Sequence, residues 1–156
     1  VTASGARHAM LRTAGRYGAH GHNFPKIMLK QALHHPGREL KVVNDQHGSP
    51  TWSWRLAQQI ARVAEAGAEG LFHATAEGWC TWYDFAHHFL TSMGVAFQMR
   101  PCASSEYVTA ARRPHNSILE NRRLHAAGIN VMVDWRADVD AFVAAHRERL
   151  VQEMRL

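Results

Sequence analysis

Short apolar runs alternate along this chain with longer segments in which apolar residues recur at helical spacing. Four runs predict strands: residues 7–13, 40–43, 71–74 and, more weakly, 96–100. Strands that alternate with helices are typical of the α/β class. The 156 residues leave room for one domain, since domains average roughly 100–200 residues. A complete two-domain enzyme is excluded.

Residues that commonly cap helices precede the predicted helices. Asn23 is placed to cap a first helix that begins at Phe24-Pro25, since proline is well tolerated at the first helical position. Thr51 or Ser53 is placed to cap the second helix, which ends at Gly67. Its apolar stripe consists of Leu56, Ala57, Ile60, Val63 and Ala64.

Three further helices are predicted in the second half of the chain. Thr81 caps one that ends at Gly94, and a short one spans residues 122–127. The last begins after Asp134, and its inner side carries Val139, Phe142, Val143, His146 and Leu150.

The charge balance favours anionic partners. Eighteen Lys and Arg face thirteen Asp and Glu, so the net charge is +5 before twelve histidines are counted. No run approaches the ~20 apolar residues that a membrane span needs, and the N-terminus lacks an apolar signal core. We therefore expect a soluble, cytoplasmic protein without a membrane partner. The first residue, Val1, indicates a processed product or a fragment.

Cysteine and histidine patterns predict no metal site. Cys80 and Cys102 are too few for a disulfide framework and lie outside any CxxC motif, so buried, inert thiols are expected. Histidines occur in close pairs at 20 and 22, 34 and 35, and 87 and 88, without the CxxC or HExxH partners of a zinc site. Surface histidines are the simpler interpretation.

Two polar segments are candidates for ligand binding. Residues 44–51 join a strand to a helix, where α/β proteins place polar groups over a ligand, although a turn followed by a helix cap explains them equally well. In Arg112-Arg113-Pro114, the proline favours an extended backbone, so at most one guanidinium can point into a given cleft. That arginine could clamp a phosphate in a forked geometry; the alternative is a solvated basic loop.

Tryptophans flank the first of these segments. Trp52 and Trp54 could stack on a base or a sugar ring, but core packing is the preferred interpretation, as it is for Trp82 and Trp135. The sequence contains no GxSxG, no GxGxxG opening a helix and no P-loop. No catalytic apparatus stands out.

Six segments, taken in order, resemble one family. They are Arg12-Thr13 with Tyr17-Gly18, Asn23-Phe24 with Met28-Leu29, residues 43–51 (VNDQHGSPT), 70–73 (GLFH), 81–86 (TWYDFA) and 111–119 (ARRPHNSIL). Together they resemble the C-terminal half of dTDP-4-dehydrorhamnose reductases, which are extended short-chain dehydrogenases/reductases. The combination of DQxGxPT, TWYDFA and RRPxxS in this order is specific, whereas each motif alone is weak.

The resemblance implies a single partial unit over residues 1–156. Residues 7–20 and 68–95 would be late elements of a Rossmann-type sheet, and residues 21–67 and 96–156 would form mainly the small α/β substrate-binding domain.

The resemblance also implies an activity. In the family, an N-terminal Rossmann domain binds NADPH or NADH and carries a Tyr-x-x-x-Lys pair, and the 4-keto group of the dTDP-sugar is reduced to give dTDP-L-rhamnose. Neither the glycine fingerprint nor that pair occurs in this sequence. We therefore expect the substrate-binding portion of an oxidoreductase, inactive alone, whose partner is the missing N-terminal Rossmann half. Family members can also use magnesium and form dimers.

Nine substrate-binding residues follow from the family pattern. The loop would shape the nucleotide-sugar cleft through Asp45, Gln46, Gly48, Pro50 and Thr51. Arg112 or Arg113 would face the diphosphate, and Tyr17 and Asn23 complete the set. Gly15 stands where the family usually has a tryptophan that touches the sugar. This departure leaves the sugar contact to another residue, such as Arg16 or a nearby indole.

Two alternatives stay open. One is a non-catalytic relative that still binds nucleotide sugars. The other is a small basic nucleic-acid-binding module; scattered arginines and few lysines argue against it, because nucleic-acid binders concentrate these residues in a stripe.

Overall fold

The computed structural model describes residues 5–106 and 113–155. The strands within these residues are β1 (Ala9–Arg12), β2 (Arg16–Tyr17), β3 (Glu39–Val43), β4 (His47–Gly48), β5 (Thr51–Trp52), β6 (Gly70–His73), β7 (Cys80–Thr81) and β8 (Gln98–Cys102). The helices are α1 (Phe24–His34), α2 (Ser53–Glu65), α3 (Trp82–Met93), α4 (Arg122–Ala126) and α5 (Trp135–Arg155), with a 3-10 turn at Ser104–Glu106. The four strands predicted from apolar runs are all present, with bounds that differ by at most two residues.

The strands pair in four two-stranded ladders. Three are parallel: β1 with β6, β2 with β5, and β3 with β8. The fourth, β4 with β7, is antiparallel and places Gly48 opposite Cys80. Parallel neighbours need a crossover connection, and the chain supplies a helix between each parallel pair. The α/β prediction is confirmed.

Two apolar clusters hold these elements together. The larger joins α1, α3 and α5 to β2, β3 and β5, with Phe85, Trp135 and Phe142 at most 1% exposed. The smaller lies between β6, α2 and α4, around Phe72 and Leu124. Most of the buried apolar residues therefore belong to the cluster around α1, α3 and α5.

Local signals set two helix starts as predicted. The Asn23 side chain accepts a hydrogen bond from the Lys26 amide at 3.3 Å. Thr81 and Asp84 form a reciprocal capping box at the start of α3, and Gly94 ends that helix with φ +63°. α4 and α5 also lie where they were predicted.

The predicted cap of α2 is wrong. Trp52 is the N-cap, and no side chain caps the helix. The Thr51 hydroxyl instead donates to the Ser49 carbonyl at 3.0 Å and accepts from the Ala76 amide at 3.2 Å. Thr51 therefore ties the loop to the segment after β6.

The predicted apolar stripe of α2 is also wrong in part. Val63 is buried, but Ile60 is 49% exposed and Gln59 is fully buried. The Gln59 amide donates to the Ile129 carbonyl and accepts from the Val131 amide. These two bonds compensate for burying a polar side chain.

The thiol prediction is confirmed: Cys80 and Cys102 are free and buried. Burial raises the pKa of the Cys80 thiol to about 12.

In residues 5–106 and 113–155, no helix is both long and apolar enough to cross a membrane.

Candidate functional site

A cleft of about 1100 Å³ opens beside the polar loop after β3. Its walls come from the segment before β2, the start of α1, strand β3, the β7–α3 junction, the 3-10 turn and the segment after residue 112. Clefts of roughly 300–1,000 Å³ are typical of small-molecule sites. The volume is sufficient for a nucleotide-sized ligand.

Backbone contacts fix the loop wall of this cleft. The Thr51 amide donates to the Gly15 carbonyl at 3.1 Å, and the Ser49 hydroxyl donates to the Gly78 carbonyl at 2.6 Å. A Cβ on Gly15 would lie 3.2 Å from the Ser49 carbonyl oxygen, and Gly15 has φ +55°. Both the contact and the left-handed backbone favour glycine there.

The segment after residue 112 runs alongside this loop. The His47 amide donates to the His115 carbonyl at 2.8 Å, and the Ser117 amide donates back to the His47 carbonyl at 2.9 Å. A Cβ on Gly48 would lie 2.7 Å from the Ser117 hydroxyl oxygen. Gly48 therefore allows the two segments to approach, which brings Arg113 to the cleft.

Asp45 anchors the loop rather than offering a free carboxylate. Its two oxygens accept from the Ser104 amide at 3.0 and 3.1 Å, and one also accepts from the Ser104 hydroxyl at 2.9 Å. The hydrogen bond from the Ser104 amide holds the pKa of Asp45 below its usual range, and the Ser104 hydroxyl adds to this effect. The carboxylate is thereby fixed in its charged form and connects residues 44–46 to the 3-10 turn.

Asp45→Asn should destabilise the protein near neutral pH and leave it less sensitive to acid. Because the folded-state pKa is depressed, the stabilisation from Asp45 is present above its ordinary pKa and is lost as the pH falls through the folded value. Thermal unfolding of wild type and Asp45→Asn at about pH 7 and about pH 3 measures this, and the gap should shrink in acid. The exposed Glu120 gives a control, Glu120→Gln. A gap that persists or widens in acid would contradict the assignment.

Positive charge dominates the lining of the cleft. Arg16, Lys41 and Arg113 line it, and within the described part of the chain none of their side chains makes a hydrogen bond or an ion pair. Asp45 is the one carboxylate among the described lining residues, and Ser104 already occupies its oxygens. An electropositive wall with uncommitted donors is suited to an anionic ligand.

The same cleft also has an apolar, aromatic part. Phe24 and Trp82 line it, with ring centroids 4.8 Å apart. Trp82 is half-buried and packs against the larger apolar cluster, which agrees with the packing prediction, and it also lines the cleft. The sequence feature that could have placed Trp82 in the cleft is its position directly after the Thr81 cap, at the end of α3 that borders the cleft.

The two tryptophans that flank the loop lie outside the cleft lining. Trp52 is buried and packs against Phe142 with a centroid separation of 5.8 Å, which confirms core packing for this residue. Trp54 is 58% exposed on α2, so the packing prediction is wrong for this residue. Neither takes the stacking position considered from the sequence.

The structure brings most of the predicted site residues together. The cleft is lined by Asn23, Asp45, Gln46, Gly48, Pro50 and Arg113. Arg112 lies outside the described residues. The Asn23 amide also donates to the Gly18 carbonyl at 2.8 Å, so its polar atoms already have partners within the protein.

Thr51 and Tyr17 lie behind the cleft wall. Thr51 is fully buried and Tyr17 is 2% exposed. The Tyr17 ring contacts Phe85 at 5.2 Å and Phe142 at 5.3 Å between centroids. Burial raises the pKa of Tyr17 far above its usual range. Both residues support the wall and are not positioned to touch a ligand.

No group of three or more His, Cys, Asp or Glu that could hold a metal ion occurs among residues 5–106 and 113–155. His20, His22, His34 and His35 are exposed. His115 lies against the Asp45 carbonyl oxygen at 3.0 Å through Nδ1.

Comparison with known proteins gives one consistent set of relatives. A sequence profile for the RmlD substrate binding domain matches residues 1–148. The chain is 36% identical over 145 residues to dTDP-4-dehydrorhamnose reductase of Escherichia coli K12, covering 86% of this chain and 48% of that protein. It is 36% identical over 127 residues to dTDP-4-keto-6-deoxy-D-glucose reductase of Streptomyces niveus, covering 81% and 43%. The chain thus spans about half the length of these relatives.

Solved structures agree with the sequence comparison. A dTDP-4-dehydrorhamnose reductase from Clostridium acetobutylicum superimposes with a TM-score of 0.83 at 34% identity, over 88% of this chain and 48% of that one. The Bacillus anthracis reductase in complex with NADP gives the same TM-score and coverage at 29% identity. A Thermus thermophilus UDP-glucose 4-epimerase shares the fold alone, with a TM-score of 0.71 at 16% identity, over 94% of this chain and 48% of that one. The expectation of a partial, Rossmann-related α/β fold is confirmed.

Proposed function

This chain belongs to the family of RmlD substrate binding domains, and from that premise we propose that it is the substrate-binding portion of a dTDP-4-dehydrorhamnose reductase. The cleft beside residues 44–51 takes the dTDP-sugar. The whole enzyme reduces the 4-keto group of dTDP-4-dehydro-L-rhamnose to give dTDP-L-rhamnose with NADPH or NADH.

The observation that carries this proposal is the uncommitted positive charge of the cleft. Arg16, Lys41 and Arg113 line it without a partner in the described part of the chain. A nucleoside diphosphate presents a compact negative charge that such donors neutralise, and an arginine can hold phosphate oxygens with two parallel hydrogen bonds.

The remaining cleft residues suit the other parts of a nucleotide sugar. Phe24 and Trp82 offer ring faces on which a base or a sugar can pack. Residues 45–48 are held in place by Ser104 and His115, so the ligand meets a wall that is already ordered. Preorganisation of this kind lowers the entropic cost of binding.

A nicotinamide cofactor would supply the hydride for the reduction. This sequence has no glycine fingerprint and no Tyr-x-x-x-Lys pair, and the Tyr17 hydroxyl is buried in the core. The described cleft therefore does not fit a complete dinucleotide site. We assign no step to the cofactor or to magnesium in this chain, and we place the proton donor and the cofactor site in an N-terminal Rossmann portion.

The β1–β6 ladder supports association with such a portion. Parallel sheets are normally covered on both faces and contain more than two strands. Within the described residues, β1 and β6 pair only with each other. Met10 on β1 is 39% exposed and Ile60 on α2 is 49% exposed. The assignment of residues 7–20 and 68–95 to a larger sheet follows from the family resemblance, and this geometry supports it for β1 and β6. Following the family resemblance, the proposal also includes a dimer of the whole enzyme.

Thermal unfolding with added ligands tests the proposal. At a ligand concentration of ~100 times its Kd, binding adds about 2.7 kcal/mol to the free energy of unfolding. We expect dTDP and dTDP-L-rhamnose to raise the Tm and NADPH alone to leave it unchanged. The purified chain should not oxidise NADPH in the presence of dTDP-4-dehydro-L-rhamnose.

Two results would overturn this account. Turnover by the chain alone would show that the reaction does not need an N-terminal portion, and no Tm change with any dTDP ligand would remove the substrate-binding role. A separately produced N-terminal half that restores NADPH oxidation distinguishes a reductase portion from a non-catalytic relative, which would bind the ligand but stay inactive.

A further inference from the structure

Trp79 presents a large apolar ring to solvent next to the cleft. Its side chain is 55% exposed, although an indole is among the most favourable groups to bury. Within the described residues, its indole nitrogen donates no hydrogen bond. The ring thus offers both an uncovered face and a free donor.

The backbone on both sides of Trp79 is fixed to the cleft wall. Gly78 precedes it with φ +73°, and its carbonyl accepts the Ser49 hydroxyl at 2.6 Å. Cys80 follows it, lines the cleft and lies opposite Gly48 in the β4–β7 ladder. Trp79 is therefore held beside the loop and is not on a free-standing turn.

A cleft residue supports the indole itself. The rings of Trp79 and His47 meet at a centroid distance of 5.4 Å and an interplanar angle of 70°. His47 lines the cleft and Trp79 does not, so the indole lies at the rim of the cleft, in contact with one of its wall residues. Gly15, which also lines the cleft, has no side chain that could contact a ligand.

We propose that Trp79, held against His47, binds the sugar ring of the nucleotide sugar and gives the cleft a preference for the dTDP-sugar over dTDP. This rests on the proposed function, because it assigns the sugar side of the same cleft. The 6-methyl group and the C–H face of a deoxyhexose are apolar, so they pack on an indole face and exclude water from it. The indole N–H can donate to a sugar hydroxyl at the ring edge.

Trp54 provides a matched control within the same chain. It is a tryptophan of similar exposure, 58% against 55%, but it lies on α2 and, unlike Trp79, its ring does not contact the ring of a cleft residue within the described part of the chain. A general effect of removing an exposed indole would appear in Trp54→Ala as well as in Trp79→Ala.

Calorimetric titration with dTDP and with dTDP-L-rhamnose tests the inference. Wild type should bind dTDP-L-rhamnose about three- to tenfold more tightly than dTDP, because an aromatic contact of this kind contributes that factor. Trp79→Ala should bind both with the affinity of wild type for dTDP. Trp79→Phe should retain most of the preference, and Trp54→Ala should retain all of it.

The outcomes separate this inference from the proposed function. If wild type binds dTDP but shows no preference for dTDP-L-rhamnose, or if Trp79→Ala keeps the preference, the inference is wrong and the proposed function stands. An equal loss in Trp54→Ala also overturns it. If wild type binds neither ligand, both fail. Unchanged thermal unfolding of Trp79→Phe shows that its result reports binding and not folding.

Discussion

Replacing Phe142 with alanine should lower the free energy of unfolding by about 3–5 kcal/mol, the usual cost of truncating a fully buried phenylalanine. Phe142 is 0% exposed on α5. Its ring lies 5.3 Å from that of Tyr17 and 5.8 Å from that of Trp52, measured between centroids. These two residues pair across β2 and β5, the ladder behind the cleft loop. Urea unfolding at equilibrium measures the change.

The half-buried Phe97 supplies the comparison for this substitution. Its ring contacts His87 with a centroid distance of 5.5 Å, at the edge of the larger cluster. Phe97→Ala should cost clearly less than Phe142→Ala, since solvent already reaches its ring. A loss below about 1 kcal/mol for Phe142→Ala would mean that β2 and β5 do not depend on α5, contrary to the packing described above.

Arg113→Ala should weaken dTDP binding by about ten- to hundredfold. A hydrogen-bonded contact between charged groups contributes about 1.5–3 kcal/mol, which corresponds to that range. Arg113 lines the cleft, and its guanidinium has no partner in the described part of the chain, so its donors are available to a phosphate. Arg113→Lys should recover part of the affinity, because lysine keeps the charge but cannot make two parallel hydrogen bonds.

The matched control for Arg113 is another exposed arginine. Arg62 lies on α2, 3.9 Å from Glu65, and does not line the cleft. Arg62→Ala removes the same charge from the protein and should leave dTDP binding unchanged. Equal losses in both variants would show that net charge, and not a specific contact, holds the ligand. No loss in Arg113→Ala would contradict the assignment of the diphosphate contact.

Those parts of the fold that depend on near neighbours in the chain were predictable from the sequence. The capping hydrogen bonds of Asn23 and of the Thr81–Asp84 box each join residues three positions apart. Such a cap can therefore be recognised from residue type and spacing. Thr51 could not be assigned in this way, because its hydroxyl accepts from an amide 25 residues away. Gln59 is buried for a similar reason, with a partner 70 residues away.

The candidate site also has features that were predictable from the sequence and features that depend on distant contacts. The polar and basic character of residues 44–51 and of Arg112-Arg113 was evident from residue types alone. The role of Asp45 was not, since its partner Ser104 lies 59 residues further along the chain. Trp79 is placed by the β4–β7 pairing, which has no local sequence signal. Trp82 could be located from its position directly after the Thr81 cap, but its contact with Phe24 could not.

Titration calorimetry of the wild-type chain with dTDP and with thymidine is the most direct test of the central claim. The two ligands share a base and a deoxyribose, so they differ only in the diphosphate that Arg16, Lys41 and Arg113 are proposed to hold. We predict measurable binding of dTDP and binding of thymidine that is weaker by at least about tenfold. Equal affinities, or no binding of dTDP, would contradict the claim that this cleft recognises a nucleoside diphosphate.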